Sequence, residues 1–302
     1  MNKPSTLLMI RPVAFGYNAE TASSNSFQQS QAKEEATSIQ TKALQEFDSF
    51  VEKLNASGVR IIVKDDTIAP HTPDSIFPNN WISFHETNSI ILYPMLATNR
   101  RMERRMDIVE SLKNSTTNVI DLSEYEQKEL FLEGTGSIVF DYTNKIAYAN
   151  ISPRTNKELL DKVCELIGYR VVSFKAVDTK GQDIYHTNVL MCIGNTFAIL
   201  SEDCIPNSDE KKRVVESLKK TGHEIISISM EQINSFAGNM YQAFNENGDS
   251  IIIMSEQAYS SLSQDQIKTV SSHGKILHTP LYTIERYGGG SARCMIADIR
   301  TK

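Results

Sequence analysis

The sequence predicts an α/β fold, a pseudo-five-fold propeller of strand-strand-helix-strand modules, on three observations. Short apolar β-rich runs recur along the chain, amphipathic helical stretches alternate with them, and polar residues heading successive modules return at a nearly constant interval. The β-rich runs are TLLMIRPVAF, VRIIVKD, WISFH, SIILYPM, NVIDLS, GSIVFD, KIAYANIS, RVVSFKAV, NVLMCIG, TFAILSE, EIISISM, YQAFNE, SIIIMSE, KILHTPLYTI and ARCMIADI. Each has the length of a strand and is edged by turn residues.

Between the strands lie RRMERRMDIVESLKNS, TNKELLDKVCELIG, SDEKKRVVESLKKTG and SQDQIKTVSSHG, whose apolar residues return every three or four positions, the period of a helix with one buried face. Hairpin turns are marked by Asp141-Tyr142-Thr143-Asn144, Gly194-Asn195 and Glu246-Asn247-Gly248-Asp249, each between two β-runs. Asn80, Glu133, His186, Asn239 and Cys294 head the first strand of successive modules, spaced 53, 53, 53 and 55 residues apart.

The last strand, ARCMIADI, needs partners that the chain after it does not supply. TLLMIRPVAF, a long helix within QSQAKEEATSIQTKALQEFDSFVEKL, and VRIIVKD would complete that fifth module and close the ring, which also protects the sheet edges. Segments 16–27 and 67–80 are expected as loops, and residues 1–302 as one catalytic domain. In such a ring the five polar side chains converge on the axis at one end.

Composition narrows the function. Of 302 residues, 40% are hydrophobic and 23% charged, an ordinary globular balance, and the net charge of −6 without any long Lys/Arg block argues against a nucleic-acid partner. The start, MNKPSTLLMIRPVAFGYN, is too short in its apolar stretch for a secretory signal, and no run approaches a membrane span. Cys164, Cys192, Cys204 and Cys294 show neither Cys-x-x-Cys spacing nor neighbouring paired histidines, so no metal site is expected and a reducing cytoplasm fits. A small metabolite is the expected partner, and a homo-oligomer is compatible with all of this.

A cysteine, a histidine and a glutamate meeting at one axial site supply a nucleophile, a proton carrier and an orienting anion. Alone, Cys294 would be a small buried residue and His186 a satisfied rim histidine, and it is the shared register that sets both apart. His71, His85, His223, His273 and His278 lack such a context.

FPNNW, LEGTGSIVF, YHTNVLM, FAGNMYQ and GGGSARCM resemble the five signature segments of the guanidine-modifying superfamily, which includes arginine deiminases, dimethylarginine dimethylaminohydrolases, amidinotransferases and citrulline-utilisation hydrolases. The resemblance runs over roughly residues 6 to 300 and favours the dimethylaminohydrolase-like branch with its citrulline hydrolases. It implies Cys294 as nucleophile, His186 as general acid/base and Glu133 as the acid that orients His186, although Thr135 and Ser137 depart from the pattern after Glu133. It implies no cofactor.

The same resemblance gives Arg100, in Asn99-Arg100-Arg101-Met102-Glu103, and Arg154, in Ser152-Pro153-Arg154-Thr155-Asn156, as a grip on the substrate's α-carboxylate. Asp74 would hold the α-amino group. Phe77, Asn79, Asn80, Asn188 and Asn239 complete the expected binding set. In arginine-processing members, carboxylates grip the guanidinium from the segment matching Phe77-Pro78-Asn79-Asn80 and, in deiminases, from the second residue after the His. Asn79, Asn80 and Asn188 stand there instead. Amides suit a neutral ureido group better than a buried cation, so the expected reaction is hydrolysis of citrulline to ornithine, carbon dioxide and ammonia. A dimethylarginine dimethylaminohydrolase or arginine deiminase is the alternative, and an amidinotransferase or a silent ligand-binding propeller stands further off.

Overall fold

The computed structural model describes residues 2–22, 24–25, 27–29 and 35–301. Among the described residues fifteen strands form five sheets of three, consistent with a pseudo-five-fold order. Along the chain after the first segment, β3 (Ile82–His85), β4 (Ser89–Leu92) and β5 (Asn118–Asp121) make one sheet. Three more follow: β6 (Val139–Asp141), β7 (Ile146–Asn150) and β8 (Arg170–Phe174); β9 (Met191–Ile193), β10 (Phe197–Leu200) and β11 (Glu224–Ser227); β12 (Tyr241–Phe244), β13 (Ser250–Ser255) and β14 (Lys275–Thr279).

In each of the four, a hairpin joins the first two strands antiparallel and a crossover brings in the third strand parallel. The fifth sheet draws on both chain ends. β15 (Ala297–Asp298) pairs antiparallel with β1 (Thr6–Arg11), Leu8 opposite Ala297, and β1 pairs parallel with β2 (Arg60–Asp65). The expected joining of the termini in one module is therefore present. A link to the fourth module follows, since the Ser5 amide donates to the Phe244 carbonyl at 2.9 Å.

The crossover helices lie where the apolar period placed them, because their ends are chemically marked. Asn156 caps Lys157–Ile167 through the Leu159 amide, and Gly168, at φ 75°, ends it in the left-handed conformation. Asn207 caps Ser208–Lys220, and Ser263 with Gln266 forms a capping box on Gln264–His273. The long helix Ala36–Ala56 buries Ile39, Ala43, Phe47, Phe50 and Leu54, one stripe at helical spacing. Each large apolar side chain buried this way contributes roughly 1.5–3 kcal/mol. Residues 30–34, at the start of the stretch expected to contain this helix, lie outside the described residues.

Two expectations change. RRMERRMDIVESLKNS is not one helix but a turn at Thr98–Arg101 and a helix at Met106–Leu112. The break lets Arg100 and Glu103 turn into the interior, both 3% exposed, while Arg104 pairs with Glu126 across 22 residues. KILHTPLYTI ends as a strand at Thr279, and Tyr282–Gly288 is helical, with the Glu46 carboxylate accepting the Thr283 and Ile284 amides at its first turn.

The heads of the modules precede the strands, three of them at short helical turns and two in loops. Asn80 closes the turn Pro78–Asn80, Glu133 precedes Gly134–Ser137, His186 precedes Thr187–Val189, and Asn239 and Cys294 sit in loops before β12 and β15. These turns pack backbone on backbone. A Cβ on Gly134 would stand 2.3 Å from the Asn79 carbonyl oxygen, and one on Gly238 at 2.3 Å from that of Val189. Thr187 Oγ1 binds the Ser137 carbonyl at 2.6 Å, tying the second turn to the third.

Candidate active site

Glu133 is fully buried, and its carboxylate is met from three sides. Oε1 accepts the Leu96 amide at 3.1 Å, while Oε2 accepts His186 Nε2 at 2.8 Å and Arg154 Nη1 at 3.3 Å. Burial works against its charge, but Arg154 and the His186 hydrogen bond outweigh it and hold the carboxyl well below the usual range. His186 is buried too. Burial pulls its pKa down to about 4 against the opposing pull of Glu133, so the ring is neutral at neutral pH. With Nε2 committed to Glu133, Nδ1 is the nitrogen left to exchange a proton with a ligand or a thiol.

Cys294, 5% exposed, receives two amide donors on its sulfur, Asn239 Nδ2 at 3.3 Å and Asn188 Nδ2 at 3.5 Å. Asn239 is itself fixed, donating to the Asn188 carbonyl at 2.9 Å and accepting the Arg293 amide at 3.0 Å. Donors aimed at sulfur stabilise a thiolate. Burial pushes the thiols of Cys164 and Cys192 up to about 12 and raises that of Cys204 as well.

Cys294 and His186 line one small cavity of about 10 Å³, together with Asp74, Phe77, Asn80, Arg100, Arg154, Tyr185, Asn25 and the glycines 288–290. The run Gly288-Gly289-Gly290 is short of side chains for a reason, since Phe77 carbons lie 2.8 Å from a Cβ placed on Gly288 and 2.9 Å from one on Gly290. Six of the expected site residues thus share a cavity with Cys294. Glu133 stands behind His186, and Asn188 and Asn239 reach the sulfur without lining the cavity. Asn79 lies outside the lining, fully buried, with neither side-chain polar atom hydrogen-bonded.

Arg100 is held inside the protein. Nε and Nη2 each lie 2.9 Å from the Glu103 carboxylate, and Nη1 donates to Asn80 Oδ1 at 2.8 Å. Burial lifts Glu103 to about 7 against the pull of Arg100. Because Arg100 only donates, Asn80 must turn its oxygen toward it, leaving Asn80 Nδ2 a buried donor without a partner. That nitrogen lies beside His186: a Cβ on Gly136 would be 2.5 Å from Asn80 Nδ2 and 2.7 Å from His186 Nδ1. Asp74 Oδ2 accepts Asn18 Nδ2 at 2.7 Å, whereas Oδ1 is buried and unpaired. Burial raises its pKa.

Asn18, Thr21, Ser24 and Asn25, in a stretch the sequence marked only as a loop, close against the site. Arg154 reaches Ser24 Oγ at 2.6 Å and the Thr21 carbonyl at 3.3 Å, while Asn18 and Thr21 hold Asp74. Tyr185 was missed as well. Its hydroxyl donates to the Gly289 carbonyl at 2.7 Å, and its ring lies 4.8 Å from the Arg154 guanidinium carbon. Neither has a spacing signal; a dense polar stretch, TASSNS, is the only mark that segment 17–29 carries.

This fold is that of the guanidine-modifying superfamily. The chain belongs to the family described as N,N dimethylarginine dimethylhydrolase, eukaryotic, whose model matches residues 11–301. No curated protein matches the chain in sequence. Its fold is similar to that of ArgZ, an arginine dihydrolase from the ornithine-ammonia cycle in cyanobacteria, with a TM-score of 0.78 and 17% identity over 99% of this chain, which spans 41% of ArgZ. The N-terminal domain of ArgZ, a cysteine-to-serine mutant bound to substrate, gives a TM-score of 0.76 and 18% identity, covering 98% of both chains. DDAH from Pseudomonas aeruginosa, a cysteine-to-serine mutant complexed with citrulline, gives 0.68 and 15%, over 98% of this chain and 99% of that one. Among the described residues no helix is long and apolar enough to cross a membrane.

Proposed function

We propose that this chain hydrolyses citrulline at its ureido carbon, with Cys294 as nucleophile, His186 as proton carrier and Glu133 orienting His186. One observation carries the choice of substrate. Asn80, its oxygen taken by Arg100, offers the cavity a donor beside His186. A ureido oxygen can accept that hydrogen bond, whereas a guanidinium carries only N–H donors and would leave it unmet. Two carboxylates behind the lining, Glu133 and Glu103, are already engaged by His186, Arg154 and Arg100.

In this reading the Cys294 thiol passes its proton to neutral His186, and sulfur adds to the ureido carbon. His186 returns the proton to the departing nitrogen as the carbon–nitrogen bond breaks. If ornithine departs first, a carbamoyl thioester remains; if ammonia departs first, the ornithine-bearing thiocarbamate does. Water, deprotonated by His186, then cleaves the carbon–sulfur bond; in the first order the carbamic acid formed falls to carbon dioxide and ammonia, and in the second the N-carboxyornithine formed falls to carbon dioxide and ornithine. Both orders consume one citrulline and one water. Asp74 Oδ1 takes the α-ammonium, and the arginines 100 and 154 present positive charge to the α-carboxylate, which displaces the Thr21 and Ser24 contacts of Arg154.

We also read the five sheets as a closed propeller ring in one catalytic domain, with a cytoplasmic location. A second substrate class is favoured by one feature, the unpaired Asp74 Oδ1, which would equally take a guanidinium. Arginine or a methylated arginine is that reading. Incubation with citrulline, arginine and dimethylarginine in separate reactions, with identification of the amino-acid product, decides between them: ornithine from citrulline supports the proposal, and citrulline released from arginine or dimethylarginine, with citrulline itself inert, refutes it.

A further inference from the structure

Helix Tyr282–Gly288 leads directly into the turn that carries the nucleophile, and its Glu285 is 2% exposed yet does not line the catalytic cavity. Glu285 Oε1 accepts the Ser291 hydroxyl at 2.6 Å, and Ser291 is fully buried. Three residues on, the Cys294 amide donates to the Ser291 carbonyl at 2.9 Å, while the Gly289 amide donates to the Glu285 carbonyl at 3.0 Å. The turn is thus pinned at its first residue by the helix end and by Tyr185, and at its last residues by Asn239. Between those points, over residues 290–292, the Glu285–Ser291 bond is the one side-chain tether among the described residues.

We infer that Glu285, through Ser291, is a positioning residue for the nucleophile: it fixes the 289–294 turn so that the Cys294 sulfur meets the Asn188 and Asn239 amides. Supporting chemistry fits. Burial lifts the Glu285 carboxyl to about 7, opposed by the hydroxyls of Ser255 and Ser291, and an acceptor oxygen persists in either protonation state. A buried carboxyl facing a hydroxyl is a costly arrangement to keep for packing alone, since an apolar pair of similar shape would fill the space without the desolvation penalty.

The inference rests on Cys294 being the nucleophile, and the test separates the two. Cys294→Ala, Glu285→Ala, Ser291→Ala, the double Glu285→Ala/Ser291→Ala and Glu285→Gln are compared for kcat, KM, thermal midpoint and the rate at which iodoacetamide alkylates Cys294. Misplacing a reacting atom by a fraction of an ångström to an ångström costs roughly 10- to 100-fold in rate. Glu285→Ala and Ser291→Ala should each lower kcat by about that factor with KM little changed, and should slow alkylation. The double variant should be no worse than either single one, because the two act as a unit, and Glu285→Gln, which keeps the acceptor oxygen, should recover most of the loss. Wild-type kcat and alkylation in Ser291→Ala, with only the midpoint lowered in Glu285→Ala, would overturn the positioning role. Turnover surviving in Cys294→Ala would instead overturn the nucleophile assignment itself.

Discussion

Replacing Asn80 with Asp tests the substrate reading at the atom that carries it. In the wild-type protein Asn80 Oδ1 is bound by Arg100 at 2.8 Å and Nδ2 is the unpaired donor. Aspartate keeps the oxygen toward Arg100 and puts a second acceptor where the donor was. A citrulline complex then loses one hydrogen bond and sets a ureido oxygen against a carboxylate, a change of about 1–3 kcal/mol. At one factor of ten per 1.4 kcal/mol this is roughly 5- to 150-fold in relative kcat/KM. A guanidinium gains the anion it lacked, so the ratio of citrulline to arginine kcat/KM should fall by at least that much. Asn80→Ala provides the control, since it removes the donor without adding charge and should weaken citrulline turnover with no gain for arginine. The assay is initial-rate kinetics on both substrates for the three proteins. An unchanged ratio in Asn80→Asp would remove Asn80 from recognition, and a wild-type preference for arginine would refute the ureido reading.

Three further outcomes follow from the site. Glu133→Gln keeps the shape but leaves His186 Nε2 and Arg154 Nη1 facing an amide; kcat should fall about 10³- to 10⁴-fold, as when a triad histidine loses its carboxylate, and chemical denaturation should show a loss of about 3–5 kcal/mol from the broken buried pair, whereas a kcat within tenfold of wild type would show that His186 needs no anion. Cys294→Ala should abolish turnover with the thermal midpoint preserved, while Ala at Cys164, Cys192 or Cys204 should cost stability and leave kcat in place; residual wild-type turnover in Cys294→Ala contradicts this. Asp74→Asn should raise KM for citrulline and arginine alike if Oδ1 takes the α-ammonium, and an increase confined to arginine would place a guanidinium there instead.

What the sequence revealed depended on repetition. Five modules each deliver one polar residue to the same structural point, so the 53-residue step made Asn80, Glu133, His186, Asn239 and Cys294 visible together, and His186 and Glu133 do meet at 2.8 Å. The step could not show the local form of those points, because a three-residue helical turn has too few positions for a period to distinguish it from the start of a strand. It also could not separate lining from support. Asn79, Asn80 and Asn188 look alike in sequence, yet only Asn80 faces the cavity, and Asn188 approaches the sulfur from another side. Segment 17–29 and Tyr185 were hidden for a different reason: their contacts with Arg154 and Gly289 join residues more than a hundred positions apart and leave no local pattern. The split of RRMERRMDIVESLKNS goes with contacts outside the stretch, since Arg100 is buried and reaches Asn80 twenty positions before it.

The proposed hydrolysis passes through a covalent bond between Cys294 and the ureido carbon of citrulline. Citrulline radiolabelled at that carbon, mixed with the enzyme and quenched in acid during turnover, tests it whichever nitrogen leaves first, since both intermediates keep the carbon on sulfur. The label should appear on the peptide containing Cys294 in the wild-type protein and be absent from Cys294→Ala, which should release no ornithine. Label on any other residue, or ornithine released by Cys294→Ala at the wild-type rate, would contradict the account.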